Sequence, residues 1–380
     1  TDYLSRSSYM LSQGKNVADV LWYFGEETNI TSYYSRSFPE IPRGYEFDFC
    51  GADALLNEII CENGVLRSIS SEAQYHILYV DPHITYMSDK VRQKLSELER
   101  AGAVICGPDQ SLESALNEAG IDPDVSYEGP ENLNYKHRST AEGIEIYWVE
   151  NPSYEALNKQ LSFRLSGKIP HVWHPENALV EKIDYEEKDG RTYIDLEFES
   201  DDAFFIVFSD EADTDAAIPV KTNSSISING PWQLEFQKDR GAPEKGIRLK
   251  ELKSLTEMGD PGVRYFSGTV TYRTRFNVKD AKNVVELDLG EVKNIAEVIL
   301  NGKNLGVVWK TPFVLNVEGV IRKGNNTLEI RITNTWPNRL IGDAQAETEQ
   351  AITYTAFKFY KAEDPLLPSG LLGPVSLRTK

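Results

Sequence analysis

Two tryptophans and three polar residues near the end of the chain have side chains suited to binding a sugar. Trp309 is the last residue of a predicted strand over 305–309, and Trp336 opens a segment that also holds Asn338, Arg339 and Asp343. An indole ring can stack on the apolar face of a pyranose, while amide and charged groups bind hydroxyls and orient the ligand. These five residues are therefore candidates for a sugar-binding site. The alternative is that Trp336, which precedes a proline, packs in the core.

Acidic residues supply a second set of candidates. With 59 Asp and Glu residues, the sequence alone does not single out a pair of carboxylates for acid–base chemistry, and we assign no catalytic residue. Glu26 follows the first predicted strand at its carboxyl end, where α/β sheets place ligands; the alternative is a solvated loop charge. Asp48 and Asp53 lie in the segment GYEFDFCGAD, where capping of the following helix is the alternative to a functional role.

The spacing of the other reactive groups does not predict a site. His171 and His174 are three residues apart, but we expect them in a turn between strands without a third metal ligand nearby. Cys106 follows a predicted strand, yet no His or Asp is placed to activate it, so we expect a buried thiol. Together with Cys50 and Cys61 it leaves one disulfide open. We assign no metal-ligating residues, and because GxGxxG and P-loop motifs are absent we expect no nucleotide cofactor.

Composition separates the classes of partner. The formal net charge of -19, spread along the chain, disfavours nucleic acid, which requires a basic surface. A neutral partner such as a sugar polymer fits better, although net charge mostly reports solubility. No apolar run approaches the ~20 residues of a membrane span. The 380 residues predict two or three domains, and the start at Thr1 without a signal peptide indicates a fragment of a longer protein.

Residues 1–143 alternate between helical and extended patterns, which predicts an α/β domain with a parallel sheet. The apolar strands are bounded by turn residues, and the second and third helices begin at serine and end at glycine. This alternation is typical of a flavodoxin-like domain. The expected strands are 17–24, 75–80 and 103–107, and the expected helices are 50–61, 88–102 and 111–120.

From residue 144 the apolar residues recur with period two, which predicts a small antiparallel β domain over 144–222. The polar stretch 222–229, rich in Ser and Asn, is interpreted as a linker. Several short strands with turn residues between them predict a β-sandwich over 223–380. Within it, a strand ending at Leu300 runs into Asn301-Gly302, a strong hairpin signal.

Three groups of segments resemble one series of domains. YMLSQG (9–14), VADVLWYFGEE (17–27) and GYEFDFCGADALL (44–56) resemble the region after the catalytic barrel in the α-L-rhamnosidases of glycoside hydrolase family 106. FRLSGKIPHVWHP (163–175) resembles their connecting β domain, with Trp173-His174-Pro175 where tryptophan-aspartate-proline is usual. A third group resembles their sugar-binding sandwich, which is similar to the jelly-roll, galactose-binding-like domain of glycoside hydrolase family 2. Its segments are YFSGTVTYRTRF (265–276), LDLGEVKNIAEVILNGKNLGVVWKTPF (287–313), NTWPNRLIGD (334–343) and SGLLGPVSL (369–377).

This resemblance covers nearly the whole chain and implies a non-catalytic, carboxy-terminal portion of an α-L-rhamnosidase-like hydrolase. In that family an upstream barrel carries the catalytic carboxylates and a sugar-binding calcium, and no barrel pattern is present in these residues. The implied partners are that barrel, which Glu26, Asp48 and Asp53 would face, and a rhamnose-containing polysaccharide. The implied location is periplasmic or extracellular. Calcium in the sandwich is left open.

Two other functions stay open at the level of sequence. The chain is alternatively a free-standing carbohydrate-binding protein, which would bind sugar without turnover. A second alternative is a hydrolase with its own site between the first two domains, which would turn over substrate without another chain. A barrel preceding Thr1 in the natural polypeptide would favour the first interpretation over both.

Overall fold

The computed structural model describes residues 2–27, 41–219, 222–345 and 351–380. The chain divides into two compact units, Thr1–Pro219 and Val220–Lys380. Strands dominate both units. None of the helices within the described ranges has the length and apolar character that a membrane span requires.

The first unit combines helices and strands in its earlier part and continues with strands. Its elements, in chain order, are α1 (Asp2–Leu11), β1 (Lys15–Asn16), β2 (Val20–Tyr23), β3 (Phe47–Cys50), α2 (Ala52–Asn57), β4 (Ile59–Glu62), β5 (Val65–Ser68), β6 (Gln74–Tyr75), β7 (Ile77–Val80), α3 (Asp89–Arg100), β8 (Val104–Cys106), α4 (Leu112–Glu118), β9 (Val125–Ser126), β10 (Asn134–Ser139), β11 (Glu145–Asn151), β12 (Leu157–Phe163), β13 (Ile169–His174), β14 (Leu179–Lys182), β15 (Glu186–Lys188), β16 (Arg191–Phe198) and β17 (Asp202–Ser209).

A parallel sheet of four strands, in the order β3-β2-β7-β8, forms the centre of the α/β part. Every residue of β2 and β7 is buried, as expected for strands covered on both faces. One face packs with Leu55 and Leu98, and the other packs with Leu116. The helix predicted over 50–61 is wrong in its second half, because α2 ends at Asn57 and β4 follows in an antiparallel sheet with β5 and β6.

Helix α3 forms where the sequence predicts it. The Ser88 hydroxyl accepts a hydrogen bond from the backbone N–H of Val91 at its start, and Leu98 joins Val91 on the buried face. At its end, Gly102 has φ +95°, a conformation that favours glycine. Local sequence signals therefore determine both ends of this helix.

Two antiparallel sheets complete the first unit, in the orders β1-β10-β11-β17-β13-β14 and β15-β16-β12-β9. Their facing side chains form one core that includes Tyr147, Phe163 and Phe208. Strands β10 and β11 pair as a hairpin across the proposed boundary at 143/144, and the three-domain division stays a prediction. The turn expected at His171 and His174 is wrong, because both lie within β13.

The second unit is built from strands with short helical segments. Its elements, in chain order, are β18 (Ser224–Ser227), β19 (Trp232–Phe236), β20 (Ile247–Leu249), a 3-10 helix (Leu255–Glu257), α5 (Pro261–Arg264), β21 (Thr269–Val278), β22 (Val284–Asp288), β23 (Glu291–Lys293), β24 (Ile295–Leu300), β25 (Lys303–Val308), β26 (Val314–Asn316), β27 (Gly324–Thr333), α6 (Pro337–Asp343), β28 (Gly370–Gly373) and β29 (Ser376–Thr379).

Two main sheets share the core of this unit. They have the orders β18-β29-β22-β26 and β20-β19-β21-β27-β24-β25, and β23 pairs with β28. Trp232, Tyr272 and Leu377 are buried together in this core. The linker predicted over 222–229 is wrong in part, because it contains β18, which pairs with β29.

The predicted hairpin at Asn301-Gly302 is confirmed. Leu300 pairs with Lys303, so the turn has two central residues. These residues have φ +54° and +82°, which is the left-handed pair that a type I′ turn requires.

Candidate functional site

The two candidate tryptophans lie at the same end of the six-stranded sheet. Trp309 follows the last residue of β25, and Trp336 follows β27 after two intervening residues. The register joins these strands through β24, since Ala296 pairs with both Val308 and Ile332. Trp309 is 44% exposed and Trp336 is 42% exposed. Both side chains are therefore accessible to a ligand. The alternative that Trp336 packs in the core is wrong.

Helix α6 positions the polar candidates that follow Trp336. Its first residue is Pro337, which suits the first turn because proline lacks an N–H. Asn338 is buried, and its Nδ2 donates to the carbonyl of Leu367 at 2.7 Å. Its Oδ1 accepts from the backbone N–H of the same residue at 2.8 Å. The amide of Asn338 therefore fixes the segment before β28.

Arg339 and Asp343 form a buried ion pair on α6. Arg339 Nη2 lies 2.7 Å from Asp343 Oδ1, and their side chains are 8% and 7% exposed. Asp343 Oδ2 also accepts hydrogen bonds from the backbone N–H groups of Ile352 and Thr353 and from the Thr353 hydroxyl. In the described part of the chain, Arg339 Nε has no hydrogen-bond partner. Asp343 thus holds the start of segment 351–369 against the helix.

A second arginine orients the ring of Trp336. The guanidinium carbon of Arg240 lies 5.0 Å from the centroid of that ring, within the range of a cation–π interaction. The neighbouring Gly241 has φ +85°, and a Cβ there would lie 2.7 Å from Ile352 Cδ1. The positive φ favours glycine here, and a larger residue would also displace the end of the Ile352 side chain.

The structure thus brings four of the five sugar-binding candidates onto one short helix and its preceding residue, with Trp309 at the same end of the sheet. Asn338, Arg339 and Asp343 point into internal contacts. The accessible groups among the five are the two indole rings. A ligand here would meet aromatic surface together with the guanidinium of Arg240.

Glu26, the first acidic candidate, lies in the loop after β2. Its Oε2 accepts a hydrogen bond from the backbone N–H of Ser88, the N-cap residue of α3, at 2.6 Å. A carboxylate is favourable there because the N-terminus of a helix carries positive partial charge. Glu27 is bound nearby by the Thr85 hydroxyl at 2.7 Å. Both carboxylates therefore connect this loop to the segment that leads into α3.

Asp48 and Asp53 also make internal hydrogen bonds. Asp48 accepts from the side chains of Asn16 at 3.0 Å and Tyr75 at 2.9 Å. Asp53 lies in the first turn of α2 and accepts from Asn57 at 2.9 Å. The N-cap of this helix is a glycine, so the capping expected of these aspartates is wrong.

Sequence reasoning missed a buried polar cluster in the first unit. His137, which is 6% exposed, contacts a carboxylate with each ring nitrogen: Nδ1 lies 2.9 Å from Asp124 and Nε2 lies 3.0 Å from Glu145. Tyr147 stacks on the imidazole at 3.8 Å between ring centroids and donates its hydroxyl to Asp124 at 3.0 Å. Because both nitrogens face carboxylates, the imidazolium is the form that satisfies both contacts.

The titration of His137 follows from these contacts. Burial disfavours the charged ring, but the hydrogen bonds to Asp124 and Glu145 outweigh it and raise the pKa of His137 above its usual value. The pKa of Tyr147 is raised well above its usual value by burial and by Asp124. Nearby, Arg164 contacts the buried Asp19 at 2.9 Å. His137, Asp124 and Tyr147 are buried, so the centre of this cluster lies in the interior of the first unit.

The cysteines and the two histidines of β13 do not form a common site in the described part of the chain. Cys50, Cys61 and Cys106 are free. Nε2 of the buried His171 accepts from the backbone N–H of Asp213, and His174 contacts Glu181 at 2.9 Å. Within the described ranges, no group of three or more His, Cys, Asp or Glu residues is arranged to hold a metal ion.

Two family models match separate parts of the chain. The family model described as alpha-L-rhamnosidase matches residues 1–111 and 108–187. The model described as the glycosyl hydrolase 2 galactose-binding domain-like family matches residues 257–362. The second match includes strands β21 to β27 and helix α6.

Two relatives extend the comparison. The structure of a rhamnosidase from Novosphingobium sp. PP1Y superposes with a TM-score of 0.86 and 34% identity, covering 100% of this chain and 40% of that one. A candidate β-glucuronidase of Formosa agariphila is 40% identical over 179 residues, which are 40% of this chain and 15% of that protein. The chain therefore spans less than half the length of either relative. The chain thus resembles the α-L-rhamnosidases of glycoside hydrolase family 106 over residues 1–187 and the galactose-binding-like family of glycosyl hydrolase 2 over residues 257–362.

Proposed function

We propose that this chain is a non-catalytic portion of an α-L-rhamnosidase-like glycoside hydrolase, where it braces the catalytic barrel and contacts carbohydrate. The observation that carries the proposal is the extent of the structural match, in which all of this chain corresponds to 40% of a rhamnosidase. The parallel sheet within the described residues has four strands, whereas a catalytic barrel has eight. The barrel then belongs to the other part of such an enzyme.

The hydrogen bonds of the acidic candidates support a non-catalytic role. A glycosidase places two carboxyl groups ~5–9.5 Å apart around an open space for the sugar. Glu26, Asp48 and Asp343 instead accept hydrogen bonds from backbone or side-chain donors of this chain. Their oxygens are occupied by contacts that position loops and strands.

The α/β part would be the flavodoxin-like domain that packs against the barrel. Numbered by their order in the chain, its four parallel strands lie in the order 2-1-3-4, which agrees with the start of the flavodoxin-like order. Glu26, Asp48 and Asp53 lie in this part, and we propose that it is the side that faces the barrel. By family resemblance, the protein would act outside the cytoplasm, in the periplasm or the extracellular space.

The second unit would contact a rhamnose-containing polysaccharide. Trp309 and Trp336 support this role because both residues are more than two-fifths exposed at one end of a sheet. Internal contacts of Asn338, Arg339 and Asp343 would keep the loop that presents Trp336 in place. The binding surface would therefore be formed before the sugar arrives, which limits the entropy lost on binding.

Turnover and binding by the purified chain test the two halves of this proposal. With 4-nitrophenyl α-L-rhamnopyranoside we expect no release of nitrophenol above buffer, while a polypeptide that includes the barrel releases it. Turnover that scales with the concentration of the chain would refute the non-catalytic role.

For binding, we expect affinity for a rhamnose-containing polysaccharide, measured by affinity electrophoresis, to fall in Trp309→Ala and Trp336→Ala. Tyr154→Ala is the matched control, because Tyr154 is an exposed aromatic residue of the first unit. Unchanged affinity in both tryptophan variants would refute the sugar contact.

A further inference from the structure

A groove lies on the outer face of the six-stranded sheet of the second unit. Its volume is about 690 Å³, within the ~300–1,000 Å³ range typical of small-ligand sites. Three arginines line it together with other polar residues and a few apolar residues. The residues that define it include Pro231, Arg248, Arg273, Arg275, Ile299 and Glu329.

Strand alternation places the arginines of this groove on one face. In β21 the side chain of Tyr272 is buried, while Arg273 and Arg275 point outward on either side of the core-facing Thr274. Gln233 of β19 pairs with Arg273 on one side and with Arg248 of β20 on the other. Two arginines and a glutamine therefore form a row across three adjacent strands, with Arg275 two residues further along.

The charges in the groove are not balanced. Arg273 is paired with Glu235 and with Glu329, the latter at 2.7 Å. Arg248 and Arg275 have no carboxylate within ion-pair distance among the residues that the structure describes. A chain with a net charge of -19 thus keeps two unpaired guanidinium groups in one concave surface. Such a surface attracts an anion.

We propose that this groove binds a carboxylated sugar, such as a uronate unit within an acidic oligosaccharide. The planar guanidinium of Arg248 or Arg275 matches a carboxylate with two parallel hydrogen bonds. The Gln233 amide and the Thr327 hydroxyl can bind sugar hydroxyls, and Ile299 offers apolar surface to the C–H face of a pyranose. The inference deepens the proposed contact with carbohydrate, on which it rests, by naming an acidic sugar and a surface separate from the two tryptophans.

Isothermal titration calorimetry with a trigalacturonate and its methyl ester tests the charge requirement. We expect the acid to bind and the ester, which keeps the hydroxyls and loses the charges, to bind at least tenfold more weakly. Arg248→Gln and Arg275→Gln should each weaken binding of the acid by on the order of tenfold. Arg378→Gln is the matched control, because Arg378 points outward from β29 of the opposite sheet and loses the same charge; it should leave the affinity unchanged.

Three results would overturn the inference. The ester could bind as tightly as the acid, the groove variants could behave like Arg378→Gln, or polyglutamate could compete as well as trigalacturonate, which would make the groove a surface for acidic peptides. Binding of a neutral rhamnoside that Trp336→Ala weakens is measured in parallel. If that binding persists while the acid does not bind, the groove inference fails and the proposed function stands.

Discussion

Replacing His137 by glutamine should destabilise the first unit strongly, because the imidazolium is enclosed between two carboxylates. The side chains of His137 and Asp124 are 8% and 4% exposed, and their atoms approach to 2.9 Å. Glutamine is uncharged and cannot neutralise Asp124 and Glu145. The variant therefore leaves two carboxylates close together, with less positive charge to offset their repulsion.

The expected loss is about 2–4 kcal/mol in the free energy of unfolding. Removing one partner of a buried ion pair costs ~3–5 kcal/mol. The lower end applies here because the Tyr147 hydroxyl still donates to Asp124 at 3.0 Å. Arg164 Nε, 4.0 Å from Asp124, also remains to offset its charge.

Urea unfolding followed by hydrogen exchange of peptides from β10 and β11 measures this loss within the first unit. His76→Gln is the matched control, since His76 contacts Asp19 at a similar distance of 3.0 Å but its side chain is 45% exposed. Asp19 is buried but keeps its contact with Arg164 at 2.9 Å, and a half-exposed imidazole contributes little to stability, so this variant should be nearly neutral. Equal losses in the two variants would refute the argument from burial.

The pH dependence gives a second check on His137. Because the folded-state pKa is raised, stability from the charged ring is fully present below the unfolded value of about 6.5. It is lost as pH rises through the folded-state pKa. Asp124, Glu145 and Tyr147 face the ring and stay in place in the variant. The difference between wild type and His137→Gln should therefore shrink with rising pH, and a difference that is constant or grows would contradict the assignment of charge.

Three further predictions concern the rest of the chain. Asn338→Ala should lower the stability of the second unit by about 2 kcal/mol, measured by thermal unfolding, because it removes both hydrogen bonds to Leu367. Cys50 should react with Ellman's reagent only after unfolding, since burial raises its pKa to about 12, whereas the partly exposed Cys61 should react in the native protein. Trp336→Ala should change the unfolding midpoint little in urea, because the ring is 42% exposed.

Capping and turn residues in the sequence correctly predicted one helix and one hairpin turn. Helix α3 begins at Ser88 and ends before Gly102 as expected, and the turn at Asn301-Gly302 has the positive φ angles that these residue types favour. The helix over 50–61 failed in its second half, because the apolar residues from Ile59 onward pair in a short antiparallel sheet instead. Tertiary pairing overrides local propensity at such positions.

The candidate site was predictable in residue type but not in orientation. Trp309 and Trp336 are accessible, whereas Asn338 is taken up by a backbone partner 29 residues away. The His137 cluster gave no sequence signal, because Asp124 and Glu145 reach the ring only once the strands are assembled. Beside it, Arg164 hydrogen-bonds Asp19 across 145 residues. Such long-range hydrogen bonds follow from the assembled sheets, and no spacing rule reveals them.

The pairing of β18 with β29 affects how the second unit can be moved between proteins. Ser224 lies opposite Thr379, so the strands that bound this unit are neighbours. A module whose ends are adjacent can be inserted into a surface loop of another protein or circularly permuted without separating its sheets. The same pairing closes a loop of 155 residues, and contacts of such sequence separation form slowly. Assembly of the unit should therefore wait for β29 to emerge from the ribosome.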